Sequence, residues 1–385
     1  MDKTCNYEIC TGCGGCEAIC PKQCISFQAA SDGHIYPHIN TDVCIDCGLC
    51  RKVCPPLIDN GLYPAAKALA AVIDDPEQYQ ASTSGGAAMA ISRLTLTDGG
   101  VVYGCASLPG SDIRHIRVTC VEDLAKLQGS KYVRSDLSEI FRPLRQDVRA
   151  SLPVTFIGTP CQCATIKALF RNRPDNLLLV DLVCHGIPSL KFLHDDLTRH
   201  RCDLHMVDRI SFRDGNIFRL KVEHIGKEGT DILYHSPDTY GNGIRDIYYD
   251  SFLKGYSFRN SCYVCPFARP ERCSDMTIGD FWGYGRKKPL PKLIDHPHGL
   301  SLILPITPKG HAMAHRLGTL MNLCERPVDE AIEGNSQLMH PFRKRPEIKV
   351  FRYLAATIGP FRAYTIITAA KKLYMNLKPK GHNGR

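Results

Sequence analysis

The feature that most constrains this 385-residue chain is a cysteine frame that occurs twice. The first copy reads Cys10-Thr11-Gly12-Cys13-Gly14-Gly15-Cys16-Glu17-Ala18-Ile19-Cys20-Pro21. The second lies 34 residues on (44 minus 10) and reads Cys44-Ile45-Asp46-Cys47-Gly48-Leu49-Cys50-Arg51-Lys52-Val53-Cys54-Pro55. Each has three cysteines separated by two residues, a fourth three residues later, and then proline. A disulfide frame has no use for such regularity, and structural zinc sites are usually built from separated C-x2-C pairs.

The spacing suits a 4Fe–4S cubane. Three thiolates on a tight glycine-rich loop hold three irons, and backbone N–H groups turn towards the sulfurs. The fourth cysteine opens a short helix and reaches the other cluster. Cys10, Cys13, Cys16 and Cys54 are therefore expected to hold one 4Fe–4S cluster, and Cys44, Cys47, Cys50 and Cys20 a second. Between the loops, Ile25-Ser26-Phe27-Gln28 and Ile35-Tyr36-Pro37-His38-Ile39 flank an Asp32-Gly33 turn and predict a β-hairpin. Residues 1–60 thus read as a bacterial-type two-cluster ferredoxin domain, followed by a linker over 57–66.

From Ala68 the pattern changes to apolar strands alternating with helices. Ala68–Ile73 predicts a strand, Ser82-Thr83-Ser84-Gly85-Gly86 a capped entry into the helix Ala87–Leu94, and Val101–Cys105 another strand. Val154–Gly158, a helix opened by Thr159-Pro160, and Leu177–Val183 make a βαβ unit. The fold class expected is α+β or α/β, a ferredoxin fold followed by a mixed α/β domain. We divide the chain into 1–60, an α/β part over 61–190, a further part over 191–340 with a C-x2-C pair, and a basic tail over 341–385. Ile210–Phe218 resembles a hairpin; 219–250 carries no clear pattern.

Twenty cysteines in a chain whose N-terminus shows no apolar export segment suggest a reducing, cytoplasmic setting and metal ligation. The net charge of +9 is uneven. Residues 1–60 hold four Lys/Arg and seven Asp/Glu, or −3; residues 341–385 hold eleven Lys/Arg against Glu347 alone, or +10. A basic tail mixed with Phe, Tyr, Leu and Ile is compatible with peripheral contact to an anionic or membrane surface, although an ordinary docking helix reads equally well. Pro360 and Arg362 exclude a spanning helix, and nucleic acid is not an expected partner.

The βαβ unit carries a spatial prediction. Cys161 follows one strand and Cys184 the next, so both belong at the carboxyl edge of a parallel sheet, where such sheets bind ligands. Cys262 and Cys265 supply a pair that would close a third 4Fe–4S site. Cys163 or Cys273 could replace one member, four cysteines could hold zinc, and Cys161 at a helix N-terminus could be a nucleophile.

Six segments, in order, resemble the coenzyme F420 hydrogenase/dehydrogenase beta-subunit family. They are Ser84-Gly85-Gly86, Gly129-Ser130-Lys131-Tyr132, Gly158-Thr159-Pro160-Cys161-Gln162, Leu182-Val183-Cys184-His185-Gly186, Cys262-x2-Cys265 and Thr277-Ile278-Gly279-Asp280-Phe281-Trp282-Gly283. The resemblance spans about residues 65–340. It implies a flavoprotein holding FAD beside a 4Fe–4S cluster and exchanging a hydride with a small molecule. It also implies Cys161, Cys184, Cys262 and Cys265 as third-cluster ligands. Ser84, Gly85 and Gly86 match the loop at the flavin, Lys131 a lysine that offsets charge on reduced flavin, and Asp280 the region near the cofactors. Trp282 reads as core packing, and His185 as a structural histidine or a proton donor.

The expected function is an iron–sulfur flavoprotein oxidoreductase that relays single electrons between a ferredoxin-like partner, the clusters and FAD for hydride chemistry on an organic substrate. The alternative is a non-enzymatic ferredoxin-type electron-transfer subunit lacking flavin.

Overall fold

The computed structural model describes residues 4–171, 174–215, 217–240, 245–287 and 297–377. The first unit contains helix α1 (Gly15–Ile19), the antiparallel hairpin β1 (Ile25–Ala29) and β2 (Ile35–Ile39), and helix α2 (Leu49–Lys52). Ile25 pairs with Ile39, and Gly33 takes the left-handed conformation (φ 76°) that the turn needs. One local expectation is corrected. Cys20 does not open a helix but closes α1 in extended conformation, because Pro21 follows it. Cys54 alone opens a helical turn, the 3-10 segment Pro55–Leu57.

The rest of the chain is built on an eight-stranded mixed sheet. Its chain order begins with β3 (Ala68–Ile73), helices α3 (Pro76–Ala81) and α4 (Ala87–Thr97), and the hairpin β4 (Val101–Leu108) and β5 (Asp112–Val118). Helix α5 (Phe141–Arg149) precedes the βαβ unit β6 (Val154–Gly158), α6 (Pro160–Leu169) and β7 (Leu177–Leu182), which is parallel as expected. Helix α7 (Leu190–Arg199) leads into a separate antiparallel sheet of β8 (Arg209–Ser211), β9 (Lys221–Gly226) and β10 (Gly229–His235), then α8 (Ile247–Leu253). The unpatterned segment 219–250 is therefore mostly strand and helix.

The chain then returns to the main sheet with β11 (Met276–Asp280), β12 (Ser301–Pro305), α9 (Pro308–Leu317), β13 (Met321–Arg326) and α10 (Val328–Gly334). The strand order is β13-β3-β12-β11-β7-β6-β4-β5. The four central strands β4, β6, β7 and β11 are parallel and flanked by antiparallel partners. The sheet crosses the boundary drawn between 190 and 191: β11, β12 and β13 complete what β3 begins. Sequence periodicity could not show this, because strand order depends on pairing between distant segments.

The tail is a packed helical hairpin, α11 (Pro346–Ile358) and α12 (Pro360–Leu377), turned by Gly359 in the left-handed region (φ 85°). Ile348, Phe351, Ala363, Tyr364 and Ile367 are buried against Phe252, Tyr256, Phe258 and Tyr263, and Tyr364 donates to Asp250 at 2.5 Å. Apolar residues that mark the tail as a candidate membrane face are thus partly core. No helix among the described residues is long and apolar enough to cross a membrane. The end of the tail, 378–385, lies outside the described residues.

The ferredoxin unit is seated on the body by cations that bind its backbone carbonyls. Arg134 and Arg145 reach Gly12 O and Ala18 O at 3.3 and 3.0 Å, and Lys167 binds Asn60 O, Gly61 O and Cys273 O. Helix α1 lies against α6: a Cβ on Gly15 would come within 2.6 Å of Thr165 Cγ2. Arg352 of α11 adds a 3.0 Å ion pair to Asp32 of the hairpin turn.

Candidate iron–sulfur and cofactor sites

Cys10, Cys13 and Cys16 sit on a loop whose glycines Gly12 and Gly14 are left-handed (φ 66° and 82°), so the chain curls around the point where the thiols converge. Cys54 arrives from the second frame and shares a buried cluster with Cys10 and Tyr36. Burial pushes the Cys16 thiol far up, and the neighbouring Cys5 thiol together with burial does the same to Cys10. In a dry, thiol-lined cradle the thiolate form needs a cation, a role that bound iron would fill. On the other side Cys20, Cys44, Cys47 and Cys50 line one cavity with Cys24. The two sets of four expected from the spacing are thus brought together as two separate groups.

Each cradle also contains a fifth thiol. Cys5 is buried beside Cys10 and Cys54. Cys24 Sγ lies 3.4 Å from Cys20 Sγ. Neither belongs to the repeated frame, so spacing could not have singled it out.

The third constellation forms at the carboxyl edge of the sheet. Thr159 caps α6, with its N–H donating to Gln162 Oε1 at 2.9 Å, and this sets Cys161 in the first turn. Cys184 follows β7, while Cys262 and Cys265 come from the 3-10 segment Asn260–Val264 and the residue after it. All four line one cavity with Pro160, Phe267 and Ala268. Burial raises the thiols of Cys161, Cys262 and Cys265, and that of Cys184 to about 12.

The alternatives Cys163 and Cys273 do not line this cavity, although Cys273 packs in one small cluster with Cys161 and Cys265. Cys163 Sγ is in the core 3.4 Å from Val180 O, and Cys273 Sγ contacts Pro160 O at 3.6 Å. Around the cavity, buried Thr11 Oγ1 and Arg259 Nη1 have no hydrogen-bond partner among the described residues, as donors aimed at a sulfur-rich anionic group would. Four thiols, an apolar wall and unsatisfied donors fit a cubane. Arg272 braces the wall through Asp181 (2.7 Å), Phe267 O (2.7 Å) and Thr277 (3.0 Å). His185 accepts from Gln337 through Nδ1 at 2.6 Å and is ringed by Phe252, Phe258 and Phe342; burial lowers its pKa, which keeps it neutral.

Farther along the same edge, segments expected at a flavin are drawn together. Thr83 and Ser130 hydroxyls are 3.2 Å apart. Arg213 donates to Thr83 O (2.8 Å), Tyr132 Oη (2.7 Å) and Asp280 Oδ2 (2.6 Å), tying three loops with one guanidinium. Arg213 carried no motif in the sequence, and only its pairing with Asp280 reveals it. Ser84 Oγ donates to Leu300 O at 2.8 Å. Lys131 Nζ donates to Leu127 O and Gln128 O at 2.9 and 2.7 Å, and burial lowers its pKa to about 8.

Two expectations change here. Gly85 and Gly86 have a packing reason of their own: a Cβ on Gly85 would collide with the Ala71 carbonyl, and one on Gly86 would lie 2.7 Å from Ile73 Cγ2. Trp282 is not core; it is 55% exposed, with its ring 6.4 Å from Phe218. The two sites share a wall, because Tyr132 stacks on Phe252 at 4.8 Å and Phe252 meets His185 at 5.2 Å.

Two family models match parts of the chain. Residues 9–58 match the 4Fe–4S dicluster domain. Residues 153–330 match the family described as the C terminus of the coenzyme F420 hydrogenase/dehydrogenase beta subunit. A solved structure of the F420-reducing NiFe hydrogenase complex from Methanosarcina barkeri, a xenon derivative, is similar at a TM-score of 0.45. That match has 20% sequence identity and covers 83% of this chain and 96% of that one. No curated protein sequence matches significantly. Residues 9–58 are thus similar to 4Fe–4S dicluster domains and residues 153–330 to the C terminus of coenzyme F420 hydrogenase/dehydrogenase beta subunits, and together they support an iron–sulfur electron-transfer oxidoreductase.

Proposed function

We propose that the chain is an iron–sulfur flavoprotein oxidoreductase that connects a one-electron protein partner, such as a ferredoxin, with two-electron chemistry on a small organic molecule. When bound, three 4Fe–4S clusters would supply single-electron transfer, and FAD would supply exchange of a hydride. The observation that carries this reading is the single cavity lined by Cys161, Cys184, Cys262 and Cys265, with Thr11 and Arg259 on its wall. It adjoins the first ferredoxin loop on one side and the Tyr132–Phe252 wall on the other.

Each residue has a definite task in this reading. Cys10, Cys13, Cys16 and Cys54 hold the first cluster, Cys20, Cys44, Cys47 and Cys50 the second, and Cys161, Cys184, Cys262 and Cys265 the third. Ser84, Gly85, Gly86, Lys131 and Asp280 belong to the flavin site, with Arg213 fixing the loops. Lys131, with a pKa near 8, is cationic at neutral pH and suits an anionic cofactor. Exposed Trp282 and the cations Lys131 and Arg213 suit a planar, negatively charged group. The apolar surround of the third cavity excludes water from the ligand sulfurs.

A second reading, an electron-transfer subunit without flavin, draws on Gly85 and Gly86, whose missing side chains are explained by the protein's own strands. Strictly anaerobic purification with iron, acid-labile sulfide and released flavin counted per chain separates the two. About twelve irons and one FAD per chain are expected. About eight irons and no flavin would leave the body as a scaffold and overturn the flavoprotein reading.

A further inference from the structure

Arg259 is among the largest fully buried side chains, at 1% exposure, and it belongs to two sites at once. Its backbone N–H donates to Ile187 O at 3.1 Å, and its carbonyl accepts from Cys262 N at 3.0 Å, so the main chain helps position a third-site cysteine. Its side chain crosses into the ferredoxin unit. There Nε donates to Cys10 O at 2.5 Å and Nη2 to Ile35 O at 2.7 Å, with Nη2 3.4 Å from Cys10 Sγ. The guanidinium carbon lies 4.0 Å from the centre of the Tyr36 ring.

A guanidinium taken out of water normally finds a carboxylate, because an uncompensated buried charge costs several kcal/mol. Among the described residues no carboxylate forms an ion pair with Arg259, and its Nη1 has no hydrogen-bond partner. The groups that face it are backbone carbonyls, an aromatic face and the Cys10 sulfur. Its natural counter-charge is therefore the thiolate-bound cluster. Glycine at position 12 is part of the same arrangement: a Cβ there would lie 2.8 Å from Arg259 Nη1.

We propose that Arg259 sets the reduction potential of the cluster held by Cys10, Cys13, Cys16 and Cys54, with a smaller effect on the third site, and leaves the cluster of Cys20, Cys44, Cys47 and Cys50 untouched. This rests on reading those cysteines as cluster ligands. The physical basis is charge and hydrogen bonding to the ligand sulfurs. Reduction adds negative charge, a fixed buried cation favours the reduced form, and low dielectric strengthens the effect. Arg259 acts through the cluster ligands and is a positioning and tuning residue.

The test is a potentiometric titration, followed by electron paramagnetic resonance, of the full chain and of Arg259→Gln and Arg259→Lys, each with iron and sulfide counted. In the Gln variant the reduction equilibrium of the first cluster is expected to fall about tenfold, 59 mV for a one-electron couple. The second cluster should stay within experimental error, and the Lys variant should recover most of the shift. A Gln variant with full iron content whose clusters all keep their potentials, or all move together, overturns the proposal. If Arg259→Gln loses iron, Gly12→Ala, whose Cβ would crowd the guanidinium, carries the comparison with Arg259→Lys as the charge-preserving control; an unchanged first-cluster potential in Gly12→Ala overturns it. An iron count near eight in the parent protein would instead remove the third site, while the contrast between the two N-terminal clusters would still decide the role of Arg259.

Discussion

The two cysteine frames have the same spacing and opposite surroundings. In the first copy, Cys10 is buried and the body covers the loop; in the second, Cys47 is exposed and Ile45 is 58% exposed. The residues between the cysteines differ accordingly. Gly12 stands where the second copy has Asp46, and both are left-handed (φ 66° and 54°), so backbone geometry does not explain the glycine. Arg259 does, because it fills the space a side chain would need. Gly15 stands where the second copy has Leu49, since Thr165 of α6 lies against the first position. A Cβ on Gly14 would lie 3.1 Å from the Phe141 ring, whereas one on its counterpart Gly48 would have nothing within 4 Å. A duplicated motif thus records its docking in the positions where its copies disagree.

The largest expected contrast is between the two fourth ligands. Cys54→Ser and Cys20→Ser should each lower the iron count by about four. Only Cys54→Ser should also loosen the ferredoxin unit, because metal binding and folding are linked and the first cradle forms the docked side. Hydrogen exchange over α1 and α6 checks this; equal protection in both variants would mean that docking does not depend on the first cluster.

A smaller contrast concerns the glycines. Gly15→Leu should destabilise the docked unit by about 1–3 kcal/mol through overpacking, while Leu49→Gly costs only the weak penalty of glycine in a short helix. Denaturant melts of the two variants, compared at matched iron content, measure the difference, and equal losses would refute the packing explanation.

The last contrast is a pH dependence on the docked side. Burial holds the pKa of His34 at about 3, well below the ordinary imidazole value, and the side chain is 2% exposed. Below about pH 6.5 the unfolded chain binds a proton that the folded one refuses, so stability falls as pH drops towards 3, by up to about 1.4 kcal/mol per unit. His34→Asn should flatten that slope. Stability measured between pH 7 and 5 with an unchanged slope in the variant would rule His34 out.

Much of the site was legible because its grammar is local. Three thiols spaced by two residues can meet on one loop, and the repeat itself supplies the fourth ligand. The third site was legible in outline, since a βαβ unit brings Cys161 and Cys184 to one edge. Its choice of Cys262 and Cys265 over Cys163 and Cys273 depended on where side chains point. Cys163, one turn into α6, faces the core, and Cys273 is turned onto Pro160 O. The resemblance to a known family marked Ser84, Lys131 and Asp280 but not Arg213, which acts through partners 130, 81 and 67 residues away.

What the sequence determined by itself was therefore the ligand inventory, the ferredoxin unit and the parallel βαβ core, each a consequence of spacing or period within a few tens of residues. Tertiary structure alone decided that strands from both ends share one sheet, that the basic tail is a packed hairpin, and that Arg259 stands between the first cysteine loop and the cavity of Cys161, Cys184, Cys262 and Cys265. Those are pairings across up to about 250 residues, as from Arg259 to Cys10. They depend on which surfaces exclude water together, and no local periodicity records that choice.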